Sequence, residues 1–295
     1  MRQRLQTDVP NVLIAGPVAW NLLVYVDELP RPEPHTVFAA RHHETLGGTS
    51  AGKALNLSRL GIDVTLATLL GDDESASRIR AALAGPGIEL LATPSANGSE
   101  RHVNLMDRHG SRLSVYLTLP VPSEPATVPS AVLEAADAVV ADLADHSRLF
   151  LRAARAAGKP IWCDLHDYDG ESDFHREFAE AADYVFVSDE RLRDPSSFLR
   201  ERVAAGASLA VCTHGARGAT ALARVGTPIH VEATRVEEVV DTNGAGDAFF
   251  AGFLAAHLRG APLEECLRQA SRAGALAVST SDLAPLYLTE ESLRS

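Results

Sequence analysis

The sequence predicts an α/β domain: a mainly parallel sheet with helices on both faces and a small β accessory element. Three observations carry that reading. In the second half, short apolar runs alternate with longer amphipathic ones, as strands do when they return through crossover helices. Residues 241–253 read DTNGAGDAFFAGF, a glycine-rich turn that opens a helix directly after an apolar run. And 295 residues suffice for one large domain without requiring two equal halves.

Composition narrows the class of partner. The formal net charge is −12 and no Lys/Arg tract is concentrated anywhere, which excludes nucleic acid and anionic membrane surfaces and leaves a small molecule. Cys163, Cys212 and Cys266 stand far apart in apolar runs, so buried free thiols are expected rather than a disulfide framework or a zinc pattern. The most apolar early stretch, residues 11–26, is broken by Pro17 and Asn21 and is too short to span a bilayer. Asp8 and Pro10 spoil a secretory leader. The expectation is a soluble cytoplasmic protein.

Taken in order, residues 12–15 form a buried strand closed by Gly16 and Pro17. Asn21 stands shortly beyond its end, where open α/β sheets place ligands. A proline-rich passage, 30–34, leads into a polar extended segment, 36–44, and a second such segment covers 102–119 with a turn at 107–110. The two read either as surface hairpins or as one small covering sheet. His42 and His43 face opposite ways in a strand and no third ligand is near, so solvated histidines fit better than a metal pair.

Residues 47–60, GGTSAGKALNLSRL, are a glycine pair opening a helix whose Leu55, Leu57 and Leu60 reach a core. Gly47 and Gly52-Lys53 have the spacing of a phosphate-binding P-loop. That reading fails, because Ala54 stands where a magnesium-binding hydroxyl is needed and no convincing buried strand directly precedes the string. Residues 64–70 are a strand, and the Gly71-Asp72-Asp73 turn supplies capping acids for a helix over 74–83. A short strand follows at 88–92.

The second half then gives strands at 138–141, 160–163, 184–187 and 209–212, helices at 147–157, 174–182 and 263–278, and a strand-like run at 236–240. Asp164, His166, Asp167 and Asp169 follow one strand end and read as a solvated turn, with contact to magnesium through water as the other reading. Residues 213–218 read THGARG: the glycines allow close backbone approach, and Thr213 and Arg217 can address phosphate oxygens. A plain strand-turn-strand is the alternative.

Gly244 and Gly246 let the backbone turn its N–H groups to one side where the helix begins, which makes a candidate anion pocket. Asp247 falls in the first helical turn, so its carboxylate can point at the same place. A base beside an anion pocket suits phosphoryl transfer to a hydroxyl. The plainer reading is an Asn-Gly turn with an acid on the helix dipole.

The string 241–253, preceded by Val239 and Val240 and followed by an alanine- and leucine-rich helix, resembles the C-terminal signature of the ribokinase family, the PfkB-type carbohydrate kinases. Gly47 and Gly48 resemble that family's substrate-side diglycine, Gly61 the glycine after the next helix, and residues 213–218 its nucleotide-side TxGxxG pattern. The likeness extends over nearly the whole chain. It implies a ribokinase-like three-layer sandwich, one domain over 1–295 with lid segments at approximately 21–46 and 101–120. It further implies Asp247 as general base, Gly244, Ala245 and Gly246 as anion hole, and Asn21, Gly47, Gly48, Gly52 and Lys53 on the substrate side. Thr213, Gly215, Arg217, Gly218, Asp241 and Thr242 would serve ATP, with Mg2+ and, as an open point, a monovalent cation.

Three positions depart from the family pattern. Asn21 stands where an aspartate is usual, Gly52 where a sugar-binding asparagine is common, and residues 188–191, SDER, replace NxxE, so that Arg191 takes the glutamate's place. Metal ligands are therefore left unassigned. Thr49 and Gly52 also differ from members acting on phosphosugars, which favours a free sugar or similar alcohol. The expected activity is an ATP-dependent carbohydrate kinase. A nucleoside kinase and a catalytically impaired binding regulator are the alternatives, and a lid with one apolar face could be covered by a second copy in a homodimer.

Overall fold

Most apolar runs that are too short for a helix become strands, and the longer runs between them become the covering helices. The computed structural model describes residues 9–85, 87–109 and 111–294. Its elements are β1 (Asn11–Ala15), β2 (Ala19–Tyr25), β3 (Arg41–Gly47), α1 (Thr49–Arg59), β4 (Asp63–Leu70), α2 (Glu74–Ala84), β5 (Glu89–Pro94), β6 (Arg101–Met106) and β7 (Arg112–Thr118). The chain continues with α3 (Ser130–Ala135), β8 (Ala138–Ala141), α4 (Ser147–Ala156), β9 (Ile161–Asp164), α5 (Asp173–Ala181), β10 (Tyr184–Ser188), α6 (Pro195–Ala204) and β11 (Leu209–Thr213). A 3-10 turn, Gly215–Arg217, precedes β12 (Ala219–Ala223), β13 (Ile229–Val231), α7 (Ala245–Leu258), α8 (Leu263–Val278) and α9 (Glu290–Arg294).

The large sheet has nine strands in the order β13-β12-β11-β10-β9-β8-β1-β4-β5. From β11 to β5 all pairings are parallel, and β12 and β13 add antiparallel at one edge. Parallel strands need both faces covered, and the period-two alternation supplies both. Val12 and Ile14 of β1 join a core with α1, α2, α7 and α8. Leu13 and Ala15 of the same strand join a second core with α3 to α6. Helices, sheet and helices thus form three layers, as the resemblance implies.

α7 is apolar all round because it is enclosed on every side. Phe250 and Phe253 are fully buried, worth roughly 1.5–3 kcal/mol each relative to water. They abut Trp162, whose ring stacks on Tyr184 at 3.9 Å. Gly252 is required there: a Cβ at that point would sit 2.8 Å from Ala273 Cβ on α8.

Four strands form a separate lid sheet, ordered β3-β2-β6-β7. Its register puts Asn21 opposite Thr45, Leu23 opposite His43 and Asn104, and Tyr25 opposite Arg41 and Met106. These side chains share the inner face. The outer face carries Leu22, Val24, Val103, Leu105, Leu113 and Val115. Of the two readings left open for these segments, the single small sheet is the one that forms.

One expected strand is absent. Residues 236–240 run without strand pairing, and Val236, Val239 and Val240 are exposed. The N–H of Val240 donates instead to Val278 O at 2.8 Å, the end of α8, so the main chain is tied to a helix end and cannot extend the sheet.

Candidate active site

The carboxyl ends of adjacent parallel strands gather the polar residues. Gly16 follows β1, Asp142 follows β8, Asp164 ends β9, Ser188 ends β10 with residues 189–191 after it, and Thr213 ends β11. Open α/β sheets bind ligands along this edge, and α7 delivers its N-terminus to it.

The turn into α7 depends on Gly244, which adopts φ +81° as the residue before the helix. Ala245 spends its N–H on Thr242 O at 3.3 Å, and Ala248 donates to Gly244 O at 2.9 Å. Among the described residues, the N–H groups of Gly246 and Asp247 have no partner in the chain. Two free donors at the positive end of a 14-residue helix are placed to receive an anion, whereas Ala245, expected in the anion hole, has its N–H engaged inside the turn. Asp241 braces the turn by accepting from Asn243 N–H and from the Tyr25 hydroxyl, each at 2.8 Å. Burial and that carboxylate push the Tyr25 phenol up to about 12, so it remains a donor.

Asp247 lies in the first turn with its carboxylate about one-tenth exposed. Its Oδ1 is 3.0 Å from Lys53 Nζ on α1. That ammonium is fully buried and also lies 3.0 Å from Asp142 Oδ1 and 3.3 Å from Asp164 Oδ2. Burial alone would push Lys53 down, but Asp142, Asp247 and Asp164 together hold it above the ordinary lysine range. Burial pushes Asp247 up to about 6, with Lys53 and His166 opposing the rise and Asp142 and Asp164 adding to it. Two glycines make room. A Cβ on Gly52 would meet Asp247 Oδ2 at 2.5 Å, and one on Gly16 would meet Ser50 Oγ at 2.2 Å, where Ser50 donates to Asp142.

On the side expected to take the substrate, Asn21 is buried over Gly47, where a Cβ would fall 2.1 Å from Asn21 Nδ2. Gly48 turns at φ +90° with its Cα face against Pro17 O. Asn21 Oδ1 and Asn104 Oδ1 are buried on the lid's inner face without a hydrogen-bond partner. Such orphaned acceptors fit ligand hydroxyls. His102 Nε2 pairs with Glu100 at 2.8 Å, on the same side.

On the other side, His214 N–H closes the turn on Gly218 O at 2.8 Å, and Gly218 at φ +93° lies against Val231 O. Arg217 reaches Asp189 and is otherwise exposed. Thr213 sits at the strand end, its hydroxyl 3.5 Å from Val187 O, and Thr242 is exposed beside Asp241. A hollow of about 480 Å³ opens between residues 234–240 and α8, lined by Thr234, Val236, Val240, Ala275, Leu276 and Ser279.

The expected base, Asp247, and the substrate-side pair Gly52 and Lys53 meet in one cluster, although they are far apart in sequence. Lys53 does not face open space. Asp164 departs from the solvated-turn reading: it is 7 % exposed and clamps Lys53, because the loop turns back at His166, which adopts φ +50°. Asp167 and Asp169 keep the surface position and pair with Arg191 at 3.5 and 3.4 Å. Asp73 is a capping residue, accepting from Ala76 N–H at 2.8 Å. Asp142 and Ser50 escaped sequence reasoning. Asp142 had a signal, a lone carboxylate ending the apolar run AVVAD, which an open α/β sheet would set at its ligand edge. Among the described residues, no three His, Cys, Asp or Glu side chains are grouped to hold a metal ion.

Comparison with known proteins identifies the family of this fold. Residues 10–286 match the model of the pfkB family carbohydrate kinases. An acarbose 7(IV)-phosphotransferase of Actinoplanes sp. is 34% identical over 281 residues, covering 90% of this chain and 91% of that protein. A nucleoside kinase of Methanothermobacter thermautotrophicus is 29% identical over 276 residues, covering 88% and 87%. Among solved structures, a microbiome-derived acarbose kinase superposes with a TM-score of 0.83 at 31% identity, covering 98% of each chain.

Proposed function

This chain belongs to the pfkB family of carbohydrate kinases, and from that premise we propose that it moves the terminal phosphoryl group of ATP onto a hydroxyl of a small sugar or sugar-like substrate. One observation carries the reading. The Asp247 carboxylate stands beside the unpartnered N–H groups of Gly246 and Asp247, at the ligand edge of the sheet. The acceptor hydroxyl gives its proton to Asp247. The free amides and helix dipole receive the charge that gathers on the transferring group. Asn21 and Asn104 offer buried acceptors to the sugar's other hydroxyls, and the lid shields the acceptor from water.

The hollow against α8 is the candidate adenine site: Val236, Val240, Ala275 and Leu276 give it apolar surface next to the turn at Asp241, with Arg235, Glu237, Glu238 and Arg272 also on its lining. Mg2+, which usually accompanies ATP, would neutralise phosphate charge. Asp142, Asp164 and Asp247 are engaged by Lys53, and Asp167 and Asp169 by Arg191. These residues offer no ready-made divalent site.

The similarity to a nucleoside kinase supports a second reading, in which the acceptor hydroxyl belongs to a ribose. A panel of free sugars, acarbose and nucleosides, assayed with ATP and Mg2+ for ADP release, separates the two readings. Asp247→Asn is expected to keep the fold and ATP binding and to lose at least about 100-fold in turnover on the substrate found. Turnover within a few fold of the parent would refute the base. The apolar outer face of the lid supports a homodimer formed through that sheet, and three buried free cysteines suit a reducing cytoplasm.

A further inference from the structure

We propose that Lys53 is a positioning residue: its buried ammonium, clamped by Asp142 and Asp164, holds the Asp247 carboxylate ionised and in place, and does not touch the substrate. This rests on Asp247 being the base. The geometry supplies three independent grounds. Lys53 has no exposed surface, so no ligand reaches it without rearrangement of α1. Its Nζ lies within 3.0–3.3 Å of three carboxylates that come from the ends of β8 and β9 and the first turn of α7. And Gly52, by lacking a side chain, leaves open the space through which Asp247 leans onto α1, since a Cβ there would overlap Oδ2 at 2.5 Å.

The charge balance explains why a cation is needed. The groups facing Asp247 are Lys53 from α1, Asp142 after β8, Asp164 at the end of β9 and His166 just beyond it. Three buried carboxylates around one ammonium still leave an excess of negative charge, and each carboxylate disfavours ionisation of the others. Without Lys53, Asp247 would hold its proton to higher pH, and a smaller fraction of it would be ready to take one from an alcohol at neutral pH. The same lysine fixes the side chain: a buried carboxylate held by an ammonium that is itself held twice has little rotational freedom. At these two positions this chain has a gap, Gly52, and a charge, Lys53.

The test reads Asp247 directly and needs no acceptor. Protein labelled with ¹³C at aspartate Cγ is titrated from pH 5 to 9 by NMR, the Asp247 signal being assigned from its loss in Asp247→Asn. The parent midpoint is expected near 6. In Lys53→Met it should rise by at least about one unit. In Asp142→Asn, which removes one competitor for the ammonium, it should fall. The second variant keeps the inference open to refutation if the first does not fold. An unmoved midpoint in a folded Lys53→Met protein, or a rise in Asp142→Asn, would overturn the role given to Lys53. Neither result bears on the base itself, which is judged separately by turnover of Asp247→Asn.

Discussion

At the scale of single residues, the most informative group is a carboxylate that is costly to keep charged. Burial, as the main cause, pushes the Asp247 carboxyl up to about 6 from its ordinary 3.8. The protonated form is thus favoured by folding, so this group makes the protein less stable as pH rises from about 4 to about 6. The full loss is on the order of 3 kcal/mol. Catalysis needs the opposite form, so kcat/KM should climb through an acid limb centred near pH 6 and level off above it. Asp247→Asn should abolish both effects: urea denaturation from pH 4.5 to 8 should show the variant gaining on the parent as pH rises. A parent profile already flat between pH 5 and 7 would contradict the assignment.

At the scale of elements, the site is the junction between a turn and a helix, held from the lid. Gly244 at φ +81° occupies a conformation that costs a residue with a side chain about 1–3 kcal/mol, and its Cβ would lie 3.3 Å from Leu283 O. Gly244→Ala should therefore lower stability by roughly that amount. It should also depress kcat more than the acceptor KM, because the first-turn amides shift while Asn21 does not. Denaturation curves and steady-state kinetics check the two halves. Tyr25 gives the lid its grip on this junction. Its hydroxyl holds Asp241, while Arg41 lies over its ring at 3.5 Å, so β2 and β3 are coupled to the turn that frames the anion site.

At the scale of the whole molecule, the three-layer body buries both faces of its sheet, whereas the lid buries only one. Leu113, Val115 and Leu117 remain 43–52 % exposed in a row on β7, next to Leu105 on β6. A sheet face of that kind is energetically served by a partner. Sedimentation equilibrium should find twice the 31.4 kDa chain mass. Val115→Glu should return the protein to a monomer with its secondary structure intact. A parent that sediments as a monomer at micromolar concentration would rule out the lid-to-lid arrangement.

Fold class, most strand and helix positions and the glycine turn at 241–246 were determined by the sequence itself, because each rests on local patterning: period-two apolar runs, amphipathic helices, and a residue able to take positive φ. The strand expected at 236–240 was not, since an apolar run becomes a strand only where an edge is free to pair with it, and here α8 takes the main chain. The role of Lys53 was decided by tertiary structure alone. Its partner Asp247 is 194 residues away, and Asp142 and Asp164 reach it only once β8 and β9 are side by side. Whether a lysine contacts ligand, solvent or a carboxylate depends on which charges surround it in space, and no spacing along the chain records that.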